Sequence, residues 1–383
     1  MINIWRPASQ GRTGTIGPVP ADPMIANCTF HGNSASRKGG GMYNEAGDPS
    51  LDNCVFRENH SNASSPAEGG GGLFNEGGSP SLWRCRFVGN TTTSGGAGLY
   101  NRHASPIILD TVFDRNAVTA IATTQTGGGI LNNSSDATIA DCTFTGNSAS
   151  HGGGVENWLT PASTFVNCLF IKNRAAMPGN GDGGGLQSWG CGCTPHVIYC
   201  TFVETTASDL SGGLGASDES GGAGALVINC IFWGNRARND AVAQIGSGAT
   251  VVTYSCVQGG RSGEGNIDVD PLFADPENGD YRLKSQAGRW DPLSGNWIQD
   301  DVTSPCIDAG DPQSPIGLEP FPSGGFVNMG AYGATATASK TYFDKPVPQT
   351  IVAGDINGDG EVDQLDLEIM ALHWTDDEPL LLP

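Results

Sequence analysis

The chain of 383 residues contains 57 glycines, has only 15% charged residues and carries a formal net charge of −21. That surplus repels nucleic-acid phosphates and anionic lipid headgroups, so neither is an expected partner, whereas divalent cations are compatible with it. No apolar run approaches the ~20 residues of a membrane-spanning helix.

Residues 1–22 are polar and read as an N-terminal extension or cap. Met1-Ile2-Asn3-Ile4-Trp5-Arg6-Pro7 lacks the apolar core of a secretion signal. An extracellular or cell-surface location is nevertheless expected, on grounds given below, with the export signal not visible in this chain.

Residues 23–260 are a repeat. Cys28, Cys54, Cys85, Cys142, Cys168, Cys200 and Cys230 each stand two residues before a Phe. Asn33, Asn59, Asn90, Asn147, Asn173 and Asn235 each follow such a Phe by three. Thr111, Phe113 and Asn116 fill the one gap, and Cys256 extends the series loosely. Two further apolar columns accompany it. One follows glycine clusters (Met42, Leu73, Leu99, Ile130, Val155, Leu186), and the other lies three residues before the Cys (Ile25, Leu51, Leu82, Ile108, Ile139, Phe165, Val197, Val227). These pieces are too short for helices and are broken by Gly, Asn, Asp and Pro, which mark turns. Self-similarity at this period signals a solenoid. The expected fold is all-β: a right-handed, single-stranded parallel β-helix with three strands per coil and nine to eleven coils, followed by a small α-containing tail. Phe, Cys and aliphatic side chains would stack inside, and Asn at bends would tolerate left-handed geometry and bond to its neighbours above and below.

Of the 11 cysteines, those in the ladder are expected to be reduced, because Cys behaves as a small buried hydrophobe and Thr111 takes the same place. Cys191 and Cys193 lie outside the ladder, as a disulfide, an adventitious metal site or neither. The ladder spacing alternates mainly between 26 and 31, so the unit is two coils, 57 residues from Cys28 to Cys85. The difference falls in one loop, short at 34–38, 91–94 and 148–151 and long at 60–68, 117–126 and 174–182. Tandem duplication with drift accounts for this; so does a ridge for lateral contacts, protruding every ~10 Å.

After the Asn of the glycine strand, successive coils place Glu45, Glu76, Arg102, Asn133, Trp158 and Trp189. Stacked Glu45 and Glu76 would hold a cation or be solvated, and stacked Trp158 and Trp189 would bind sugar rings or stabilise the coils. These four are the candidate ligand-binding residues. Hydrolysis needs two or three clustered carboxylates, and no catalytic set is assigned.

Residues 261–340 read as irregular terminal coils covering the apolar end. Here Asp270-Pro271-Leu272-Phe273, Asp280-Tyr281-Arg282-Leu283, Ser304-Pro305-Cys306-Ile307-Asp308-Ala309-Gly310 and Met329-Gly330-Ala331-Tyr332 occur in series. The F-x-x-N and G-G-G-[ILVM] repeats resemble those of bacterial polymorphic outer-membrane proteins. The closing series resembles that of bacterial right-handed parallel β-helix repeat surface proteins. The resemblance implies an extracellular or cell-surface protein. No membrane-barrel segment follows the repeats, so direct insertion in an outer membrane is not expected.

Residues 341–383 read as a linker and calcium-binding tail. Asp355, Asn357, Asp359, Glu361, Asp363 and Asp366 are spaced as oxygen ligands of a calcium loop, with Gly360 at the sharp turn. The loop resembles one half of a type I dockerin, which implies Ca2+ as cofactor and a cohesin-like receptor as partner. The functional expectation is a non-catalytic extracellular scaffold that self-associates end to end into filaments, since open β-helix ends invite pairing. The alternative is a carbohydrate-active enzyme, lyase or hydrolase, or a glycan-binding adhesin.

Overall fold

The computed structural model describes residues 22–120, 126–160, 162–178, 180–190, 192–217, 224–239, 243–246 and 249–342. The calcium-loop residues Asp355 to Asp366 lie outside them. These described residues divide into two compact units: those up to Pro271 together with Met329–Gly333, and Leu272–Asn328 with those from Ala334 to Tyr342.

The first unit is a parallel β-solenoid. Its first coil contains β1 (Met24–Ala26), β2 (Thr29–His31), β3 (Ser34–Ala35) and β4 (Met42–Glu45). Each strand pairs in parallel with its counterpart in the next coil, giving sheets 1 to 4. Among the described residues, sheets 1 and 2 are nine strands deep and sheets 3 and 4 seven. Seven coils thus carry all four strands, slightly fewer coils than expected. The strand that joins the three expected per coil is that of sheet 3. It is two residues long and mostly polar, as in Ser34–Ala35, His60–Ser61 and Thr91–Thr92, so it leaves no apolar signature.

The interior is built from columns. The rings from Phe30 to Phe232 stack in sheet 2 with centroids 4.3–4.9 Å apart and planes within 6°. That spacing is the ~4.8 Å between neighbouring strands, and each buried ring contributes roughly 1.5–3 kcal/mol. Asn59, Asn90, Asn116 and Asn147 form a second column. Each donates from Nδ2 to the next Asn Oδ1 at 2.9 Å and to a Phe carbonyl of the preceding coil at 2.8–2.9 Å. Each Oδ1 also accepts the backbone N–H of the Asn before it. The column satisfies backbone groups that bends between strands would otherwise leave buried and unpaired.

Left-handed backbone does not fall on these Asn residues, as expected from sequence, but on the residue just before them and the one before each Cys. Glu58, Arg115, Lys172, Arg84 and Asp110 are among those with φ near +50°. Gly32, Gly89, Gly146, Asn27, Asn53, Asn167 and Asn229 meet the usual preference at such corners, whereas at the five named above it is overridden by the coil that the interior columns impose.

In the Cys column, Cys28, Cys54, Cys85, Cys142, Cys168, Cys200 and Cys230 are free thiols. Each directs Sγ to the carbonyl two residues before it, as Cys142 does to Ala140 at 3.1 Å. Thr111 does the same to Leu109 at 2.9 Å, and Ser255 to Thr253 at 2.9 Å. Ser255 therefore ends the column. Cys256, which sequence spacing placed there, pairs in register with Ile231, one residue further along. Cys193 is buried, and Cys191 lies outside the described residues.

The glycine clusters are required by geometry. Gly70 has φ +67°, and a Cβ on Gly72 would lie 2.5 Å from Gly98 O and 2.9 Å from Phe87 Cδ1.

Residues 264–269 close the C-terminal edge of the solenoid. Tyr254 N–H donates to Glu264 O at 2.7 Å, Val257 N–H to Ile267 O at 2.9 Å and Ser255 N–H to Asn266 Oδ1 at 3.0 Å. Met329–Gly333 lies against sheet 2, with Ala331 N–H donating to Thr201 Oγ1 at 2.9 Å and Asn167 Nδ2 to Gly333 O at 2.7 Å.

In the second unit the strands are antiparallel. Phe273–Asp275 pairs with Asp280–Leu283, and Arg289–Asp291 with Asn296–Ile298. Arg289 is buried between Asp280 and Asp300, at 3.2 and 3.0 Å. Glu319 accepts from Asn328 N and Ala334 N; burial outweighs those bonds and pushes its carboxyl up to about 7.

Candidate functional site

Sheet 4 gives each coil one four-residue strand. Its first and third residues point inward, as Leu73 and Asn75 do, and its second and fourth point outward. The outward second column reads Tyr43, Phe74, Tyr100, Leu131, Glu156 and Gln187. The fourth reads Glu45, Glu76, Arg102, Asn133, Trp158 and Trp189. Although outward, Phe74, Tyr100 and Leu131 are buried and packed together with Trp158. The long loop at 60–68 covers them, and Tyr100 Oη donates to Pro66 O at 2.9 Å.

At the N-terminal end of this face, Glu45 is exposed and stands in register with Glu76. Glu76 is the hub of an ionic cluster: Lys38 Nζ donates to it, Tyr43 Oη donates at 3.0 Å and Arg102 Nη1 at 2.8 Å. Desolvation opposes ionisation, yet these donors hold its carboxyl below the usual range. Burial, and then the Glu76 carboxylate that it bonds, push the Tyr43 phenol above its ordinary value. Glu76 is thus a compensated anion that orients Arg102, not half of a proton-sharing pair, in which one carboxyl would be raised.

Beyond Arg102 a cleft of about 310 Å³ opens. Tyr100, Arg102, His103, Leu131, Asn133 and Trp158 form much of its lining, with Pro66 and Ala67 contributed by the loop. Asn133 Nδ2 donates to Tyr100 Oη at 3.1 Å, fixing the amide against the ring. On the far side Trp189 packs on Trp158 with centroids 4.8 Å apart and planes at 39°. The four candidate residues therefore divide. Trp158 lines the cleft and Trp189 backs it; Glu76 reaches it through Arg102, and Glu45 stands outside. Sequence reasoning passed over Tyr100 and His103. The signal was the alternation within the four-residue strand, which puts Tyr100 on the same face as Arg102.

Further along the second column Glu156 is buried, and its Oε2 has no hydrogen-bond partner among the described residues. Burial, and then the charge of Asp182, push its carboxyl well up. Asp182 is itself pushed up to about 6 by burial, against a hydrogen bond from Leu210 N. Among the described residues no group of His, Cys, Asp or Glu is arranged to hold a metal ion, and no helix is long and apolar enough to cross a membrane.

In-register parallel stacks and an interior of repeated Phe, Cys and Asn define a right-handed parallel β-helix repeat protein. Residues 12–170, which include the residues lining the cleft, match the family model described as right handed beta helix region. Residues 252–310, spanning much of the closing motif series, match the one described as disaggregatase related. Comparison with curated proteins and with solved structures returned no match.

Proposed function

We propose that the protein is a non-catalytic β-helix scaffold of the cell exterior that binds glycan in the cleft of sheet 4. The observation that carries this reading is the composition of the cleft. Trp158, packed on the buried Tyr100, offers aromatic surface to the apolar face of a sugar ring, while Asn133, Arg102 and His103 supply polar groups for its hydroxyls. The engagement of Glu76 by three donors favours binding over acid–base hydrolysis at this face. The calcium-loop pattern from Asp355 to Asp366 enters as a Ca2+-dependent tether to a surface receptor. End-to-end filament growth has less support, because residues 264–269 already occupy the C-terminal edge of sheets 1 and 2.

The test is a glycan array followed by titration calorimetry on its hits. Trp158→Ala should weaken binding by about tenfold or more, and Asn133→Ala by a smaller factor. Absence of any glycan hit, or hits unchanged by both substitutions, refutes the assignment. Release of reducing ends that disappears in Glu76→Gln would instead establish the enzyme reading.

A further inference from the structure

The outer face of sheet 2 carries a separate groove of about 660 Å³. Arg57, Arg86 and Arg115 line it, over a floor that includes Val55 and Val88. They belong to three successive coils: Arg86 stands in register with Val55, and Val88 with Arg57 on one side and Asp114 on the other. In a chain of net charge −21, three guanidiniums on successive coils, at different positions along the strand and set against Glu58 and Asp114, leave a local excess of positive charge.

Two of the three are tied by a neighbour in sequence. Arg57 pairs with Glu58 at 2.9 Å and Arg115 with Asp114 at 2.8 Å. Glu58, the carboxylate in the groove wall, is held low first by Arg57 and then by His31. The side chain of Arg86, between them, makes no hydrogen bond or ion pair among the described residues. A guanidinium with no partner over an apolar floor, flanked by two more, presents fork-shaped donors along the coil stack.

We propose that this groove binds an anionic polysaccharide lying along the stack, its carboxylate or sulfate groups meeting one arginine per coil. Charge density selects this ligand over nucleic acid. A duplex carries one charge per ~1.7 Å and would be repelled by the protein as a whole, whereas a glycan with one anionic group every sugar or few sugars is repelled far less. The site is independent of the Trp158 cleft, which lies on sheet 4.

The test is titration of the full chain with heparin-derived and polygalacturonate oligosaccharides, neutral dextran, polyglutamate, duplex DNA and inorganic sulfate. Both anionic glycans should bind, with affinity falling as salt rises, and the other probes should bind at least tenfold more weakly. Arg86→Gln removes no side-chain hydrogen bond or ion pair, so it should leave thermal unfolding nearly unchanged while weakening glycan binding about fivefold. Arg57→Gln/Arg86→Gln/Arg115→Gln together should weaken it about a hundredfold, and Arg174→Gln, an equal charge change elsewhere on the solenoid, less than about twofold. Trp158→Ala should have no effect here. The proposal is overturned if neither anionic glycan binds, if the triple variant binds as the parent does, or if Arg174→Gln matches Arg86→Gln. Equal binding of sulfate, polyglutamate or DNA would likewise overturn it.

Discussion

Replacing Asn116 by Ala probes the element that joins the coils. Its side chain makes four hydrogen bonds: Nδ2 donates to Asn147 Oδ1 and Phe87 O, and Oδ1 accepts from Asn90 N and Asn90 Nδ2. Asn147 Oδ1 keeps a donor in the variant, because Asn116 N–H still reaches it at 2.9 Å. Asn90 N–H and one Asn90 amide hydrogen lose theirs in a fully buried site, while Phe87 O stays within the parallel strand ladder. Each buried orphan costs roughly 1–3 kcal/mol, so the variant should lose about 2–6 kcal/mol locally. Coils contact only their neighbours, so the loss should be concentrated on the coils holding Asn90 and Asn147 rather than spread through the stack. Native-state hydrogen exchange reads this directly: protection should fall near residues 87–91 and 144–148 and persist near 30 and 232. Thr205 shows how the chain itself leaves the Asn column, since its N–H still donates to Asn235 Oδ1 at 3.0 Å and its hydroxyl reaches Gly212 O. Asn116→Thr should therefore be milder than Asn116→Ala. A loss below ~1 kcal/mol for the Ala variant, or a uniform loss of protection along the solenoid, would refute the ladder as the coupling element.

Cys168→Ser should cost less than about 1.5 kcal/mol in denaturant unfolding, because Ser255 and Thr111 already fill that column with a hydroxyl that bonds the carbonyl two residues back. A loss above ~3 kcal/mol would mean that the thiols interact along the column in a way a hydroxyl cannot reproduce. The acidic pair under the loop at 174–182 predicts a pH effect of definite sign. Asp182, at about 6, and Glu156 are raised in the folded state, so their contribution is complete below the ordinary carboxylate range and is lost as pH rises through about 6 for Asp182. His151 is lowered by burial and acts in the opposite sense, losing stability as pH falls through its ordinary 6.5, while Asp209 and Arg238 bear on Asp182 with opposite signs. The difference between parent and Asp182→Asn therefore isolates the carboxylate. Between pH 5 and pH 8 the parent should lose protection around residues 152–156 relative to the variant, read by hydrogen exchange corrected for intrinsic rates; equal slopes would refute the assignment.

The interior of the fold was legible because a solenoid repeats its constraints. One site that admits a flat ring becomes a column from Phe30 to Phe232, and spacing alone exposes it. What was not legible had no repeated chemical signature. The sheet 3 strands are two residues long and mostly polar. Ser255 hides the end of the Cys column, because a hydroxyl serves as well as a thiol and Cys256 offered a misleading next step. Glu58 and Arg115 give no outward sign of left-handed geometry, since the corner is fixed by the coils around it.

The same reasoning explains why the candidate sites emerge from the outer columns. An interior position faces the same neighbours in every coil, so its chemistry is held constant. An outward position faces solvent and a loop of alternating length, and is free to change. In the fourth column of sheet 4 the character passes from acid to base between Glu76 and Arg102, and from amide to aromatic between Asn133 and Trp158. The cleft opens where those changes occur and where the loop carrying Pro66 rises beside them. Arg86 of sheet 2 marks another such departure, in a column that elsewhere holds Thr29, Val55, Val112 and Thr143. In a stack of this kind an even column argues for packing. A break in an outward column, next to a longer loop or an unpaired charge, is the place where the coil has been turned to another use.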